Sequence, residues 1–188
     1  MFNKLGASLI KNVVGTTTYP IPSFVASSIP NAIFPAKSVA GTSYYVPGSV
    51  ISSGGFSNEF RTSITETGNA GIAVGSGNTA ATENDYNLET LITTLTGTVN
   101  VTYGYDSTNL RNSVQVALTL TNNTEAAITV KEVGRFVKCY TTSTQGGSAS
   151  GSSKLFLVQR DVLETPLEIA AGASAVLRID YIYPGATD

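Results

Sequence analysis

The 188-residue sequence predicts an all-β fold, an antiparallel β-sandwich with an extended N-terminal arm. Three observations point there. Charged residues make up only 13% of the chain, and Thr, Ser, Asn and Gly fill the polar positions instead. Thr fits a pleated surface and Gly and Asn supply turns, whereas exposed helices favour Glu, Lys and Arg. Apolar and polar residues alternate in several stretches, and turn signals break them roughly every 8 to 12 residues.

The first texture runs over residues 1–55. It holds five of the seven prolines, Pro20, Pro22, Pro30, Pro35 and Pro47. Each removes a backbone donor and pushes its predecessor toward extended geometry. The segment TTTYPIPSFVASSIPNAIFP therefore reads as an extended arm with the apolar anchors Tyr19, Ile21, Phe24, Val25, Ile29, Ile33 and Phe34. An arm so apolar either lies across its own domain or docks on a neighbour, and these anchors are the candidate partner-binding residues.

Residues 56–188 form the sandwich domain. Asn58–Glu66 alternates weakly. In DYNLETLITTL, Leu88, Leu91, Ile92 and Leu95 stand at helical spacing behind Asp85 as an N-cap, which predicts a short helix that soon gives way to strand. Thr96–Asp106 puts Val99, Val101, Tyr103 and Tyr105 on one face. Arg111–Thr121 does the same with Val114, Val116, Leu118 and Leu120. An Asn122–Glu125 turn leads to a strand over Ala127–Tyr140, interrupted by Gly134. Thr144–Lys154 is a Gly/Ser loop. The last strand, SAVLRIDYIYP, sets Leu177, Ile179, Tyr181 and Tyr183 against Arg178 and Asp180. Such a succession suits a jelly-roll or an Ig-like sandwich.

The chemistry-bearing groups are few. The GSGNT run at Gly75–Thr79 looks like a phosphate cradle, but no Lys follows its glycines and no third glycine opens a helix, so a surface turn is expected. Glu83, Asp85 and Glu89 are the densest carboxylates. They read as turn and cap residues in preference to a metal site or a hydrolase pair. The chain has no histidine, which removes a Ser-His-Asp triad and the commonest zinc ligand. Cys139, the one cysteine, reads as a strand thiol. With no Trp, ring stacking on a sugar would fall to Tyr44, Tyr45, Tyr86, Tyr103 or Tyr105. No cofactor is expected.

Net charge is -2, and no Lys or Arg occurs between Arg61 and Arg111, so nucleic acid is not an expected partner. No apolar run is long enough to span a bilayer, and MFNKLGASLIKNVVG is not built like an export signal. The expectation is a protein made in a cytoplasm and kept there, or assembled there into something larger.

From Gly71 to Tyr183 the chain resembles virion proteins of tailed bacteriophages. The resemblance lies in GIAVGSGNTAATENDYNLE, where a Gly-rich turn leads into Asp-Tyr-x-Leu, in LTLTNNTEAAITVKEVGRF, and in KLFLVQRDVLETPLEIAAGASAVLRIDYIY. It implies a non-enzymatic β-sandwich module of a phage particle. Its partners would be other virion proteins, such as major capsid, portal, neck or tail subunits, with the chain homo-oligomeric or lattice-bound. Within it Asp85 and Tyr86 would fix a corner of the fold, and Arg160 and Asp161 the end of a strand. Gly134 and Gly172 would serve a strand interruption and a turn. A capsid decoration protein and a tail or fibre module that binds a host glycan or protein are the two roles it leaves open.

Overall fold

The computed structural model describes residues 33–47, 57–108, 111–141 and 152–184. Tyr19, Ile21, Phe24, Val25 and Ile29, and most of the Gly/Ser loop, lie outside them. The fold is all-β and antiparallel, with no helix among the described residues. The described residues form eight strands: β1 Ile33–Lys37, β2 Ser43–Pro47, β3 Gly71–Gly75, β4 Leu95–Asp106, β5 Arg111–Asn122, β6 Ile128–Tyr140, β7 Ser153–Ile169 and β8 Ser174–Pro184.

They form a hairpin, β1-β2, and two three-stranded sheets of order β3-β6-β7 and β4-β5-β8. The sheets pack face to face in sandwich fashion. Ile72, Val74, Val130, Val133 and Ile169 of the first meet Leu95, Val116, Leu118, Leu120 and Ile179 of the second in one apolar cluster. Alternation is what makes β4, β5 and β8. Val116, Leu118 and Leu120 are buried, as is Ile179, while Thr119, Arg178 and Asp180 are exposed.

The β3-β6-β7 sheet is covered on its other face too. Val39, Ile64, Leu88 and Leu91 pack there on Ala73, Phe136, Leu155 and Leu157. All five residues of β3 are accordingly buried. Asn58–Glu66, expected as a strand, lies over this sheet as irregular chain with a single bridge at Phe60. Its apolar residues anchor in separate clusters, Phe60 in the intersheet core and Ile64 on the far face. Phe60 lies against the backbone of Gly97, where a Cβ would stand 2.6 Å from its ring.

Of the two fates open to the apolar N-terminal segment, residues 33–47 take the first and lie across their own domain. Ile33 and Phe34 open β1, paired with Pro47 and Val46. Ala36 and Val46 are buried on Val137, Cys139 and Phe156. The turn between the strands closes through the Gly41 amide, which donates to Ser38 O at 2.8 Å.

β7 runs on past Arg160 and Asp161, which stand in mid-strand and not at a strand end. The break expected there survives as a register shift. Glu132 pairs with Val162 but Val130 with Leu167, so Pro166 falls where no ladder bond is required. Gly172 has φ +69 and turns β7 into β8, with Ala173 N donating to Ala170 O at 3.1 Å.

Candidate functional site

The chemically richest place lies on the far face of the β3-β6-β7 sheet. It begins with Glu132, a carboxylate wholly buried in mid-β6. An ionised group there needs charge and hydrogen bonds around it. Gly77 N donates to its Oε1 at 3.1 Å, Thr90 N to Oε1 at 2.9 Å and Glu89 N to Oε2 at 3.1 Å. Arg160 Nε completes the set at 2.7 Å from Oε2.

The Gly-rich GSGNT run thus supplies one of these donors, Gly77 N, to the protein's own carboxylate. A Cβ on Gly75 would collide with Glu132 Oε1, and one on Gly77 would lie 2.6 Å from the same atom. The two glycines let the loop close over the carboxylate.

Arg160 carries the network outward. It stands opposite Gly134 in the β6–β7 ladder. The missing side chain at Gly134 leaves room for Leu88, whose Cδ2 would be 2.8 Å from a Cβ there. Arg160 Nη1 donates to Asp85 Oδ2 at 2.8 Å, and Nη2 lies 3.5 Å from Glu89 Oε2. Burial works against the guanidinium's charge, but the bonds to Glu132 and Asp85 outweigh it and raise its pKa.

Asp85 is not a helix cap. It closes a turn, accepting from Thr82 N and Thr82 Oγ1, both at 2.9 Å. Burial pushes its pKa up, yet the Thr82 and Arg160 bonds prevail and hold it below the usual carboxylate value. Glu89 is lowered chiefly by the Thr79 N–H and hydroxyl, with Arg160 adding to them. The expected helix is absent because its apolar residues diverge. Leu88 packs on Phe136, whereas Ile92 and Leu95 enter the intersheet core and Ile92 N bonds Val74 O.

Above this network lies an open groove of about 570 Å³ walled by Val39, Ala40, Thr79, Asn84, Asp85, Tyr86, Asn87, Leu88, Glu89 and Arg160. Tyr86 is 40% exposed, with Lys37 Nζ 5.8 Å from its ring centroid. Of the carboxylates singled out in sequence, Asp85 and Glu89 meet here, and Glu83 is not on the groove wall. Two carboxylates both held ionised beside an arginine lack the split acidities that general acid–base work uses. What the arrangement does is tie the 77–90 loop to the sheet. Among the described residues no three His, Cys, Asp or Glu side chains are grouped to hold a metal ion.

Asp161 belongs to a different polar spot. It is 7% exposed, and burial pushes its pKa up to about 6 against the pull of the Val162 N–H. Nearby, Tyr181 donates to Gln159 Oε1 at 2.6 Å, and Arg135 lies 5.6 Å over the Tyr181 ring. Cys139, 3% exposed, has its thiol pushed up to about 12 by burial and is inert.

Glu132 went unmarked as a site residue in the sequence, though it stands in the Glu-x-Gly of β6. The signal was there as one carboxylate inside the apolar run ITVKEVGRFV, paired with glycines that no known phosphate motif explains. Comparison of the chain with protein-family models, with curated proteins and with solved structures finds no match in any of the three.

Proposed function

We propose that this chain is a non-enzymatic structural protein of a tailed-phage particle, assembled in the host cytoplasm. In this reading it decorates or reinforces the capsid and docks on neighbouring virion subunits through its N-terminal segment. The sandwich, of jelly-roll or Ig-like kind, presents that contact. Major capsid, portal, neck or tail proteins are the partners, with no role for nucleic acid, membrane or cofactor. The resemblance of Gly71–Tyr183 to phage virion proteins supplies the class. The observation that carries the reading is the closed ion network, in which Arg160 directs its donors to Glu132, Asp85 and Glu89. Asp85 and Glu89, two of the three carboxylates that stand densest in the sequence, brace a scaffold there, as a contact protein requires.

Removing residues 1–32 and measuring incorporation into particles tests this. Loss of incorporation is expected, and undiminished incorporation overturns the docking role. The cut must spare β1 and β2, because they cover Val137, Cys139 and Phe156.

A second reading, a tail or fibre module that binds a host glycan, is favoured by the half-exposed Tyr86 ring on the wall of a polar groove. Binding of the isolated protein to host cells, abolished by Tyr86→Ala, would establish it over the first.

A further inference from the structure

The two sheets treat their edges differently. Every edge of the β3-β6-β7 sheet is occupied or blunted. β3 is flanked by Phe60 and Leu91: Arg61 N bonds Ile72 O, Ile72 N bonds Glu59 O, and Ile92 N bonds Val74 O. On β7, Leu155 accepts from Val39 N and donates to Glu66 O, and further along come Arg160, Asp161, Pro166 and the register shift. Charges, prolines and bulges are the usual devices against edge pairing.

In the β4-β5-β8 sheet, β4 and β8 each pair only with β5, and no other backbone hydrogen bond among the described residues reaches either strand. β8 carries Arg178 and Asp180 in mid-strand and ends on Pro184. β4 carries none of these. Its twelve residues, LTGTVNVTYGYD, hold no proline and one charge, Asp106 at the very end. Its pairing to β5 is unbroken from Leu95 to Asp106. Tyr103 is 80% exposed and Tyr105 62%, on the face that carries Val99 and Val101 into the core.

We propose that β4 is a dimerisation edge, on which a second copy of this chain lays its own β4 antiparallel. The product is one six-stranded sheet, β8-β5-β4 continued by β4-β5-β8 of the second copy. The choice of a second copy rests on charge. Antiparallel self-pairing keeps the two Asp106 positions at opposite ends and sets no charged residue against another along the seam. A two-fold axis normal to the sheet keeps Thr96, Thr98, Asn100 and Thr102 on one face and the Val and Tyr residues on the other. An axis at Val101 sets Tyr103 beside Val99 of the second copy and Tyr105 beside Gly97, where Phe60 already lies. Aromatic and β-branched cross-strand pairs of this kind stabilise sheets. The pairing supplies the assembly reading above with one partner and rests on that reading only for its biological setting.

Sedimentation of the full chain is the test, with a dimer expected. Asn100 and Thr102 are exposed, so Asn100→Lys with Thr102→Lys should leave the strand content of each copy unchanged by circular dichroism and weaken the dimer about tenfold or more by setting like charges across the seam. Independently, a single cysteine at Val101 should cross-link copies on oxidation, whereas one at Thr98, which would stand six residues along the seam from its own copy, should not. Native Cys139 is too buried to compete. A chain monomeric at all concentrations, a lysine variant that dimerises like the parent, no cross-link at Val101, or pairing only with a strand of another protein overturns the proposal. Particle incorporation is scored separately. A dimer that particles refuse overturns the virion reading and leaves β4 pairing intact, and a monomer that they accept does the reverse.

Discussion

Among the described residues, the β3-β6-β7 sheet is buried on both faces and flanked at both edges, whereas the β4-β5-β8 sheet has one face turned to solvent and two edges that no further strand pairs. The first concentrates the buried charge, the tight glycines and the irregular covering loops. The second is regular, nearly uncharged along β4, and held by simple alternation. One sheet is where this fold is made unique, and the other is where it meets its surroundings.

The sharpest way to break that contrast is to open the ion network. Glu132→Ala or Arg160→Met leaves a buried charge without its partner and should cost about 3–5 kcal/mol in urea unfolding. Glu132→Leu with Arg160→Met should recover much of the loss, since the charges then leave together. Single variants as stable as the parent would remove the network from its bracing role.

Asp161 gives the next largest effect, with the opposite sign. Its folded pKa of about 6 lies above the ordinary 3.8, so its ionisation opposes folding. Stability contributed by this group falls as pH rises from 3.8 to about 6 and stays low above, by up to about 3 kcal/mol. Asp161→Asn should therefore stabilise the protein at pH 7.5 and change nothing below about pH 4. Asp85, whose pKa is depressed, behaves in reverse, and its contribution is lost as pH falls below the ordinary carboxylate range.

Gly77→Ala comes third. The new methyl would collide with Glu89 Cβ and crowd Glu132 Oε1, at a cost of about 1–3 kcal/mol. Smallest of all, Tyr103→Ser on the exposed end of β4 should move the melting stability of the folded chain by less than about 0.5 kcal/mol. A large loss there would mean that this sheet is as tightly determined as its neighbour.

The same contrast governs what could be read in advance. β4, β5 and β8 were legible because one face of each meets water, which writes a period of two into the sequence. β3 and the chain over Asn58–Glu66 carry no such period, since neighbours surround them on several sides. The Leu88–Leu95 spacing imitated a helix because its apolar residues enter separate clusters on the two faces of one sheet. Asp85, Arg160, Gly134 and Gly172 were singled out without any sign of what joins them. Three of them meet only because Glu132, on the same strand face as Gly134, is overlain by a loop far upstream, and local pattern carries no trace of that.

Glu132 and Arg160 also police alignment. Sliding β7 by one residue along β6 would swing the guanidinium to the opposite side of the sheet and strand both charges among apolar neighbours. Chains zipped one notch wrong would thus sit several kcal/mol above the correct one, so mispaired copies come apart and try again before any neighbour can trap them.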